Sequence, residues 1–214
     1  MNSTALRPKV IGLLDPLATA CIRLGISPNM VTFLSLLFGV LCACCFTLGS
    51  FVIGSLMLLI SAVLDLVDGS VARASGKESH FGAVIDWIVD KYVDGLALIG
   101  IGISGVPIIS HLIPSSLVIL PVADFAIVAF AVFGSMMNTF IKPVVYAESG
   151  FSDRKDGKID DPLEGIGFFG RPETIAVLIL GGISGFIWLS VIIVAVCTNL
   201  SALERIIYLS KRLS

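Results

Sequence analysis

Long apolar runs, separated by short stretches of glycine, proline and charged residues, make up most of the chain. Between Leu24 and Leu64 there is no charged residue, and Gly49-Ser50 provides a turn signal inside that run. A helix needs about 20 apolar residues to cross a bilayer, so this run predicts two spanning helices joined by a tight turn. The pattern predicts six spans in all, of which the fifth is short: roughly 28–48, 51–72, 82–104, 117–142, 171–183 and 186–208.

Residues 1–25 have a different pattern, with basic residues among apolar ones at helical spacing. The apolar positions are Leu6, Val10, Leu13, Leu14, Leu17 and Ala18. Such a segment is typical of an amphipathic helix lying in the membrane interface, although Pro8 and Pro16 are expected to end or kink it. No cleavable signal peptide is expected, because these prolines and nearby charges interrupt the apolar run.

The predicted fold class is therefore an all-α integral membrane protein with six transmembrane helices and an N-terminal cytoplasmic amphipathic helix. We expect a single membrane domain over residues 1–214. Within it, residues 1–25 would form the interfacial helix and residues 28–208 the six-helix bundle.

Composition and charge agree with this prediction. Hydrophobic residues make up 56% of the 214-residue chain and charged residues only 14%, which is far from the composition of a soluble domain. Lysine and arginine accumulate on the cytoplasmic side of membrane proteins. With the N-terminus inside, the predicted outer turns at 49–51, 105–116 and 184–185 contain neither residue. The pattern predicts a multi-pass protein of the cell membrane with both termini in the cytoplasm.

The remaining composition excludes several classes of site. The five cysteines lie mostly in apolar segments and have no histidines at metal-binding spacing, so packing is the expected role and no disulfide framework is implied. The sequence has no P-loop and no nucleophile elbow. It also lacks a basic stripe, so no nucleic-acid partner is expected.

Four aspartates stand out because they lie within this apolar sequence. Asp65, Asp68, Asp86 and Asp90 belong to the pattern D-x-x-D-G-x-x-A-R, eight residues, then G-x-x-x-D-x-x-x-D. A carboxylate in a bilayer is costly unless it faces the protein interior and is paired or bound to a cation. Helical rotation places the first two about 60° apart and the last two about 40° apart, so each pair shares a face.

The short loop 74–81 brings the two pairs to a similar depth, near the cytoplasmic end of the second and third spans. Hard divalent cations prefer carboxylate oxygens. Two cations would neutralise the four carboxylates and leave coordination positions for a phosphate-bearing substrate, as in two-metal phosphoryl transfer. The motif therefore predicts a metal site with two divalent cations, Mg²⁺ or Mn²⁺.

The other residues of the motif suit phosphate binding. Gly69 and Gly82 remove side chains where the backbone must approach a ligand or a facing helix. Ala72 lies on the same helix face as Asp65, and its small side chain leaves room there. Arg73 supplies a permanent positive charge with a fork geometry that matches phosphate oxygens.

The whole motif resembles the signature of the CDP-alcohol phosphotransferase family and matches it at every specified position. The predicted architecture is also similar to that of the family, with the motif across the second and third spans. The resemblance implies a metal-dependent enzyme of phospholipid synthesis that works as a homodimer in the bilayer. In the implied reaction, an alcohol hydroxyl attacks the phosphate that carries the lipid of a CDP-lipid, CMP leaves, and a phosphodiester results.

The resemblance also implies roles for individual residues. Asp65, Asp68 and Asp86 would bind a first cation, and Asp65, Asp86 and Asp90 a second. Asp90 would also be the catalytic base that takes the proton of the acceptor hydroxyl. The residues expected to hold the CDP portion are Asn29, Thr32, Gly69, Arg73 and Ser79. The first two belong to the segment 27–32, which resembles the family's segment at the start of the first span.

The acceptor alcohol is indicated by a second resemblance. Lys142 at the end of the fourth span and Gly170-Arg-Pro-Glu173 at the start of the fifth resemble the branch that uses inositol phosphate. Lys142, Arg171 and Arg205 would then surround the acceptor's own phosphate, a role that charged donors suit well. The expected acceptor is a soluble phosphorylated polyol, and inositol phosphate is favoured.

Other acceptors and both types of lipid stay open. Pro143-Val144 and Thr174 depart from the pattern of that branch, so glycerol phosphate, or serine, is the alternative acceptor. The N-terminal stretch 6–10 with Asp15-Pro16 resembles archaeal members of the branch. The donor is therefore expected to be CDP-diacylglycerol or CDP-archaeol.

A carboxylate-lined cation transporter is the alternative from another class, because aspartates within a membrane also mark ion pathways. The one-sided position of the motif argues against transport, as does Arg73 with its neighbouring glycines. Asp94 continues the acidic face by one turn, and it is expected either to support the metal ligands or to pair with Lys91 or Lys142. Asp124 lies near the outer end of the fourth span and is expected to be interfacial or to face the bundle.

Overall fold

A computed structural model of the chain describes residues 7–113, 120–149, 154–155, 158–159, 163 and 165–212. Within these residues the protein is almost entirely helical, which confirms the predicted all-α class. The helices are α1 Arg7–Arg23, α2 Pro28–Thr47, α3 Phe51–Ser75, α4 His80–Ile103, α5 Leu120–Ser149, α6 Arg171–Ser184 and α7 Ile187–Arg212. A 3₁₀ turn covers Ile109–His111, and two short strands, β1 Arg154–Lys155 and β2 Lys158–Ile159, pair in antiparallel fashion.

Four helices of the described part are long and apolar enough to cross a membrane: Pro28–Thr47, Phe51–Ser75, Pro121–Glu148 and Ile187–Arg212. The other two predicted spans coincide with α4 and α6. Helix α4 carries three aspartates and a lysine in its middle, and α6 has only 14 residues. Length and composition therefore indicate a membrane protein, and they support four of the six spans directly.

The helices close a ring around a common interior. Going round it, α3 packs on α2, α2 on α4, α4 on α5, α5 on α7, α7 on α6, and α6 again on α3. Helices α3 and α4 follow one another in sequence but pack mainly against α2 rather than against each other. The two motif-bearing helices are therefore neighbours in sequence that do not form a closely packed helix pair.

Small residues allow these helices to approach closely, as in other membrane bundles. A Cβ atom on Gly100 of α4 would lie 2.6 Å from the carbonyl oxygen of Ala43 on α2. A Cβ on Gly182 of α6 would lie 2.9 Å from the carbonyl oxygen of Phe51 on α3. At these two positions any larger residue would push the helices apart.

Buried hydroxyl groups fix α2 against α3. The Ser35 hydroxyl donates to the carbonyl oxygen of Ser61, and the Ser61 hydroxyl donates to the carbonyl oxygen of Ser35, both at 2.9 Å. Both side chains are completely buried. Hydrogen bonds between membrane helices contribute on average about 0.6 kcal/mol each, so the pair adds only modestly to stability. Because each hydroxyl bonds the opposite backbone, the pair also fixes the register of α2 on α3.

Helix ends near the motif are set by local capping. The Ser27 hydroxyl accepts from the Met30 amide at the start of α2, and the Ser79 hydroxyl accepts from the Gly82 amide at the start of α4. Gly76 ends α3 with a left-handed φ of 62°, a conformation that glycine adopts without steric cost. The caps at Gly76 and Ser79 limit the connection between the two motif helices, α3 and α4, to a few residues.

Two prolines lie inside helices. Of the expected effects of Pro8 and Pro16, an end or a kink of the N-terminal helix, the end does not occur, because α1 includes both residues. Helix α1 continues through Pro16 to Arg23, and α5 continues through Pro143 to Ser149, beyond the predicted span end at 142. Proline has a φ close to the helical value and removes one backbone hydrogen bond. The packing of the helix then decides whether the helix continues.

Helix α1 lies along α3 with two faces of different character. Ala18 and Cys21 are buried against Val67 and Val71 of α3, whereas Leu13 is 79% exposed. Helix α1 therefore has a side that packs on the bundle and an apolar residue that does not.

At the opposite end of the bundle, Asp124 caps the 3₁₀ turn. Its Oδ1 accepts from the backbone amides of Ile108 and Ile109 at 3.1 and 2.6 Å. The ring of His111 stacks on Trp188 at a centroid distance of 4.6 Å. Asp124 therefore faces the bundle, as expected, and has a structural role there.

Candidate active site

Three of the four motif aspartates come together between α3 and α4. Asp65, Asp86 and Asp90 each contribute one carboxylate oxygen to a group in which all oxygens lie within 4.8 Å of one another. All three side chains are partly buried. The helical spacing within the motif and the short connection between the two helices account for this arrangement. We call these three residues the carboxylate group.

Asp68 lies one helical turn from Asp65 but is held by a different helix. Its Oδ2 accepts a hydrogen bond from the Thr32 hydroxyl of α2 at 2.5 Å, and the residue is only 5% exposed. Asp68 is thus not one of the three clustered carboxylates, and the Thr32 hydroxyl of α2 orients its side chain.

Arg171, the first residue of α6, projects into the carboxylate group. Its Nη1 contacts Asp65 Oδ2 at 2.7 Å, its Nη2 contacts Asp90 Oδ1 at 2.9 Å, and its Nε contacts Asp94 Oδ1 at 3.3 Å. The sequence predicted Arg171 near the acceptor's phosphate but not these ion pairs. They depend on the packing of α6 against α3, which the local sequence does not encode.

Asp94 had two expected roles, and the structure shows its partners. Its side chain is fully buried, and it receives the Lys91 ammonium at 2.7 Å, the Arg171 Nε, and the Ser135 hydroxyl at 3.3 Å. Pairing with Lys91 was one of the expected outcomes and is confirmed. Through the contacts from Ser135 and Arg171, Asp94 also links α4 to α5 and α6.

The electrostatics of this region favour bound cations. Two buried atoms, Asp90 Oδ1 and Arg171 Nη2, have no well-oriented hydrogen bond among the described residues, although they form an ion pair. Five carboxylates lie in this region, those of Asp65, Asp68, Asp86, Asp90 and Asp94, and the ion pairs given above bring Arg171 and Lys91 to three of them. Hard oxygen donors with excess negative charge are what Mg²⁺ and Mn²⁺ prefer. The residues present therefore fit divalent cations.

Three of the residues predicted for the nucleotide, Asn29, Thr32 and Ser79, lie where α2 and α4 begin. A Cβ atom on Gly82 would lie 3.0 Å from the Ser79 hydroxyl and 3.6 Å from Asn29 Oδ1, so these two side chains meet in front of the glycine. Both helices point their N-terminal ends to this place, and helix N-termini attract anions such as phosphate.

Arg73 lies on the same side of α3 as Gly69. A Cβ on Gly69 would lie 3.3 Å from Arg73 Nη1, and Arg73 Nη2 donates to the Ser70 hydroxyl at 3.3 Å. The side chain is exposed. Gly69 therefore leaves room for the guanidinium group of the same helix, a role that the sequence did not indicate.

The remaining two predicted residues occupy different environments. Lys142 is partly buried on α5, one residue before Pro143. Arg205 of α7 is only 8% exposed. Its Nε donates to the carbonyl oxygen of Ile166 at 3.0 Å, and its Nη1 donates to the carbonyl oxygen of Asn138. Arg205 therefore joins α5 and α7 to the segment that leads into Arg171.

Sequence reasoning missed the residues that hold this segment. Asn138 Nδ2 donates to the Phe169 carbonyl oxygen at 2.6 Å, and the Phe169 amide donates to the Ser201 hydroxyl at 3.4 Å. Gly167 has a φ of 94° and packs against Ser201 and Arg205. Only the glycine gives a local signal, because the other contacts join positions more than 30 residues apart.

Comparison with known proteins places this arrangement in a family. Residues 25–142 match the family described as CDP-alcohol phosphatidyltransferase. The archaetidylinositol phosphate synthase of Pyrococcus horikoshii is 36% identical over 100 residues, which are 47% of this chain and 53% of that protein. The phosphatidylinositol phosphate synthase of Mycobacteroides abscessus is 32% identical over 102 residues, 47% of this chain and 46% of that protein. The matches thus span about half the length of these relatives.

Solved structures show the same fold. The phosphatidylinositol phosphate synthase of Mycobacterium tuberculosis with CDP-DAG bound superposes with a TM-score of 0.69 at 23% identity, covering 90% of both chains. The same protein in complex with manganese and citrate gives a TM-score of 0.69 at 24% identity, covering 90% of this chain and 86% of the other. The likeness therefore extends well beyond residues 25–142.

Proposed function

The chain belongs to the CDP-alcohol phosphatidyltransferase family, and on this premise we propose that it transfers the phospho-lipid group of a CDP-lipid to a phosphorylated polyol and releases CMP. The observation that carries the proposal is the convergence of Asp65, Asp86 and Asp90 within 4.8 Å, in the spacing of the family's signature. Membership of an enzyme family leaves the cation-transporter alternative without support.

The residues proposed to hold divalent cations follow the motif. Asp65, Asp68 and Asp86 would hold a first Mg²⁺ or Mn²⁺, and Asp65, Asp86 and Asp90 a second. Bound there, the cations would neutralise phosphate oxygens of the donor and stabilise the charge that develops during displacement. The convergence of three of these carboxylates within 4.8 Å supports this assignment. Asp68 would contribute the oxygen not engaged by Thr32.

Asp90 is proposed as the base of the reaction. It takes the proton of the acceptor hydroxyl as that oxygen forms a bond to the phosphorus atom next to the lipid. The bond from this phosphorus to the CMP oxygen breaks, and CMP leaves with the electron pair. The role is supported by Asp90 Oδ1, which is buried and whose one ion-pair contact, with Arg171 Nη2, is not a well-oriented hydrogen bond.

The nucleotide of the donor is proposed to lie where α2 and α4 begin. Asn29 and Ser79 meet there in front of Gly82, and Thr32 follows one turn along α2. Arg73 extends over Gly69 from α3 with an exposed guanidinium group, which suits a phosphate of the CDP portion. The positive ends of two helices add to the attraction for these phosphates.

The acceptor is proposed to be inositol phosphate, with its phosphate held by Lys142, Arg171 and Arg205. Arg171 supports this most directly, because its guanidinium already lies beside the proposed base at 2.9 Å. Arg205 supports it through its contacts with the segment leading into Arg171. Two relatives named above are synthases of inositol-phosphate lipids. Glycerol phosphate fits the same charges and is the alternative, whereas serine has no phosphate for them.

The setting of the reaction is proposed as the cytoplasmic face of the cell membrane. In this proposal α2 to α7 are six spans of a single membrane domain, α1 lies in the inner interface, and two copies form a homodimer. The charge asymmetry of the turns supports the orientation. The donor, CDP-diacylglycerol or CDP-archaeol, would enter from the bilayer and the soluble acceptor from the cytoplasm.

An acceptor screen tests the proposal. Purified protein is incubated with CDP-diacylglycerol or CDP-archaeol, Mg²⁺ or Mn²⁺, and one alcohol at a time: inositol phosphate, glycerol phosphate, inositol or serine. We expect CMP release with inositol phosphate, and little with unphosphorylated inositol. Preference for glycerol phosphate would change the acceptor but keep the reaction. If no alcohol supports release with either lipid, the proposed function is wrong.

A further inference from the structure

Arg171 contacts three different aspartates through its three guanidinium nitrogens. Nη1 faces Asp65 and Nη2 faces Asp90, which are both proposed metal ligands, whereas Nε faces Asp94. Asp94 does not belong to the group of oxygens within 4.8 Å that the described residues form. One side chain thus joins two members of the carboxylate group to a carboxylate outside it.

The guanidinium charge and a divalent cation compete for the same oxygens. Both would lie within a few ångströms of Asp65 and Asp90, where charges interact strongly even at the effective dielectric constant of a protein site. The contact with Asp90 is close but poorly aligned for a hydrogen bond, so it depends on charge more than on direction. A cation can replace this contact without breaking a well-formed hydrogen bond. The Nη1 contact with Asp65 Oδ2 is a hydrogen bond of 2.7 Å, so its loss must be offset by the two positive charges of the cation.

Asp94 is placed to keep Arg171 nearby during such an exchange. Its side chain is fully buried and is held by Lys91 from its own helix and by Ser135 from α5. The Nε contact is therefore anchored to two helices that do not include α6. If Nη1 and Nη2 leave the carboxylate group, the Nε contact still holds the arginine at the edge of the site.

We propose that Arg171 is a displaceable counter-charge of the carboxylate group and that Asp94 is the positioning residue that retains it. Cations at Asp65 and Asp90 displace the two terminal nitrogens, which then hold the phosphate of the acceptor. This inference rests on the proposed function, which supplies that phosphate. Its consequence is that cation binding and acceptor binding strengthen each other, and thermodynamic coupling makes this effect reciprocal.

The test measures Mn²⁺ binding at equilibrium to the purified full chain in detergent, by electron paramagnetic resonance of the free ion, without turnover. In the wild type, adding inositol phosphate or glycerol phosphate is expected to tighten Mn²⁺ binding. In Arg171→Gln, Mn²⁺ alone should bind at least about tenfold more tightly, since a positive charge near two ligands is gone. Adding either phosphate should then leave Mn²⁺ binding unchanged.

A double-mutant cycle tests the role of Asp94. Asp94→Asn removes a negative charge and is expected to weaken Mn²⁺ binding and its coupling to the phosphate. If Asp94 acts through Arg171, the two effects will not add in the double variant. Additive effects would mean that Asp94 acts only through its own charge, and the positioning role would be wrong. Asp124→Asn, at the opposite end of the bundle, serves as the control and should leave Mn²⁺ binding unchanged.

An Arg171→Gln protein that is folded but binds Mn²⁺ no more tightly than the wild type would overturn the proposal. If this variant does not purify as a folded protein, Arg171→Lys replaces it. A lysine ammonium is compact and cannot face three carboxylates at once, so Mn²⁺ binding should still tighten, and an unchanged affinity would overturn the proposal equally. Failure of the proposed function would look different: wild-type protein would release no CMP, whatever its Mn²⁺ affinity.

Discussion

The Thr32 hydroxyl on α2 donates to the Asp68 carboxylate on α3 at 2.5 Å, so a residue outside the motif orients one of its four aspartates. This contact joins the start of the first predicted span to the proposed metal centre. Because Thr32 also lies beside the proposed nucleotide site, the same helix end positions both the donor and the carboxylate.

Replacing Thr32 with valine should weaken the metal centre. The substitution keeps the shape of the side chain but leaves the buried Asp68 carboxylate without its donor, which costs about 1–3 kcal/mol. We expect lower thermal stability and weaker Mn²⁺ binding, measured by thermal unfolding and by Mn²⁺ titration. Thr32→Ser keeps the hydroxyl and should behave like the wild type. Equal Mn²⁺ affinity in Thr32→Val and Thr32→Ser would mean that Asp68 needs no orientation by α2.

Replacing Asp90 with asparagine should slow catalysis strongly while donor binding is retained. Loss of a catalytic base costs about 10²- to 10⁴-fold in rate. The check is the rate of CMP release at saturating donor and acceptor, together with a direct measurement of CDP-lipid binding. Asp124→Asn is a matched control, because its carboxylate caps a turn far from the motif. A near-normal rate for Asp90→Asn would transfer the role of base to another group.

Asn138 is expected to act on the acceptor through the segment that it holds. Asn138→Ala leaves the Phe169 carbonyl oxygen without its donor, at a cost of about 1–3 kcal/mol, and loosens the start of α6 where Arg171 lies. Steady-state kinetics should show a raised KM for the phosphorylated acceptor and an unchanged KM for the CDP-lipid. A rise in both constants would mean that the effect is not confined to the acceptor site, whereas a lower maximal rate with both KM values unchanged would indicate loss of folded protein.

The reciprocal serine pair between α2 and α3 should contribute stability but no catalysis. Ser35→Ala and Ser61→Ala each remove two of the hydrogen bonds between these residues. We expect a coupling free energy of about 0.6 kcal/mol between the two sites in a double-mutant cycle of unfolding. CMP release per folded molecule should be unaffected. A cycle with zero coupling would mean that the contact between the two hydroxyl groups adds no stability beyond their separate bonds to the backbone.

The sequence was sufficient to predict the helices and the motif aspartates. Apolar runs and helical spacing are local properties, so they are enough to predict the helical segments and the facing of Asp65 with Asp86 and Asp90. The contacts of Arg171 with Asp65 and Asp94 could not be predicted in this way, because they join residues 106 and 77 positions apart. They depend on the ring order of the helices, in which α6 returns to α3.

The effect of prolines on the ends of helices could not be predicted from the sequence either. Pro16 and Pro143 are ordinary stop signals by local chemistry, yet α1 and α5 continue through them. The packing of α1 on α3 and of α5 on α7 offsets the stability that is lost with the missing backbone hydrogen bond. The same dependence on packing explains why the buried role of Arg205 at the 166–170 segment had no signal in the sequence.

The most direct test of the account is the product balance of a single reaction mixture. Wild-type protein, a CDP-lipid, inositol phosphate and Mn²⁺ should yield CMP and a lipid phosphodiester in equal amounts, and both should cease to form when the cation is chelated. Formation of CMP without the phosphodiester, or undiminished formation of both after chelation, would contradict the proposed transfer at a divalent metal centre of Asp65, Asp68, Asp86 and Asp90.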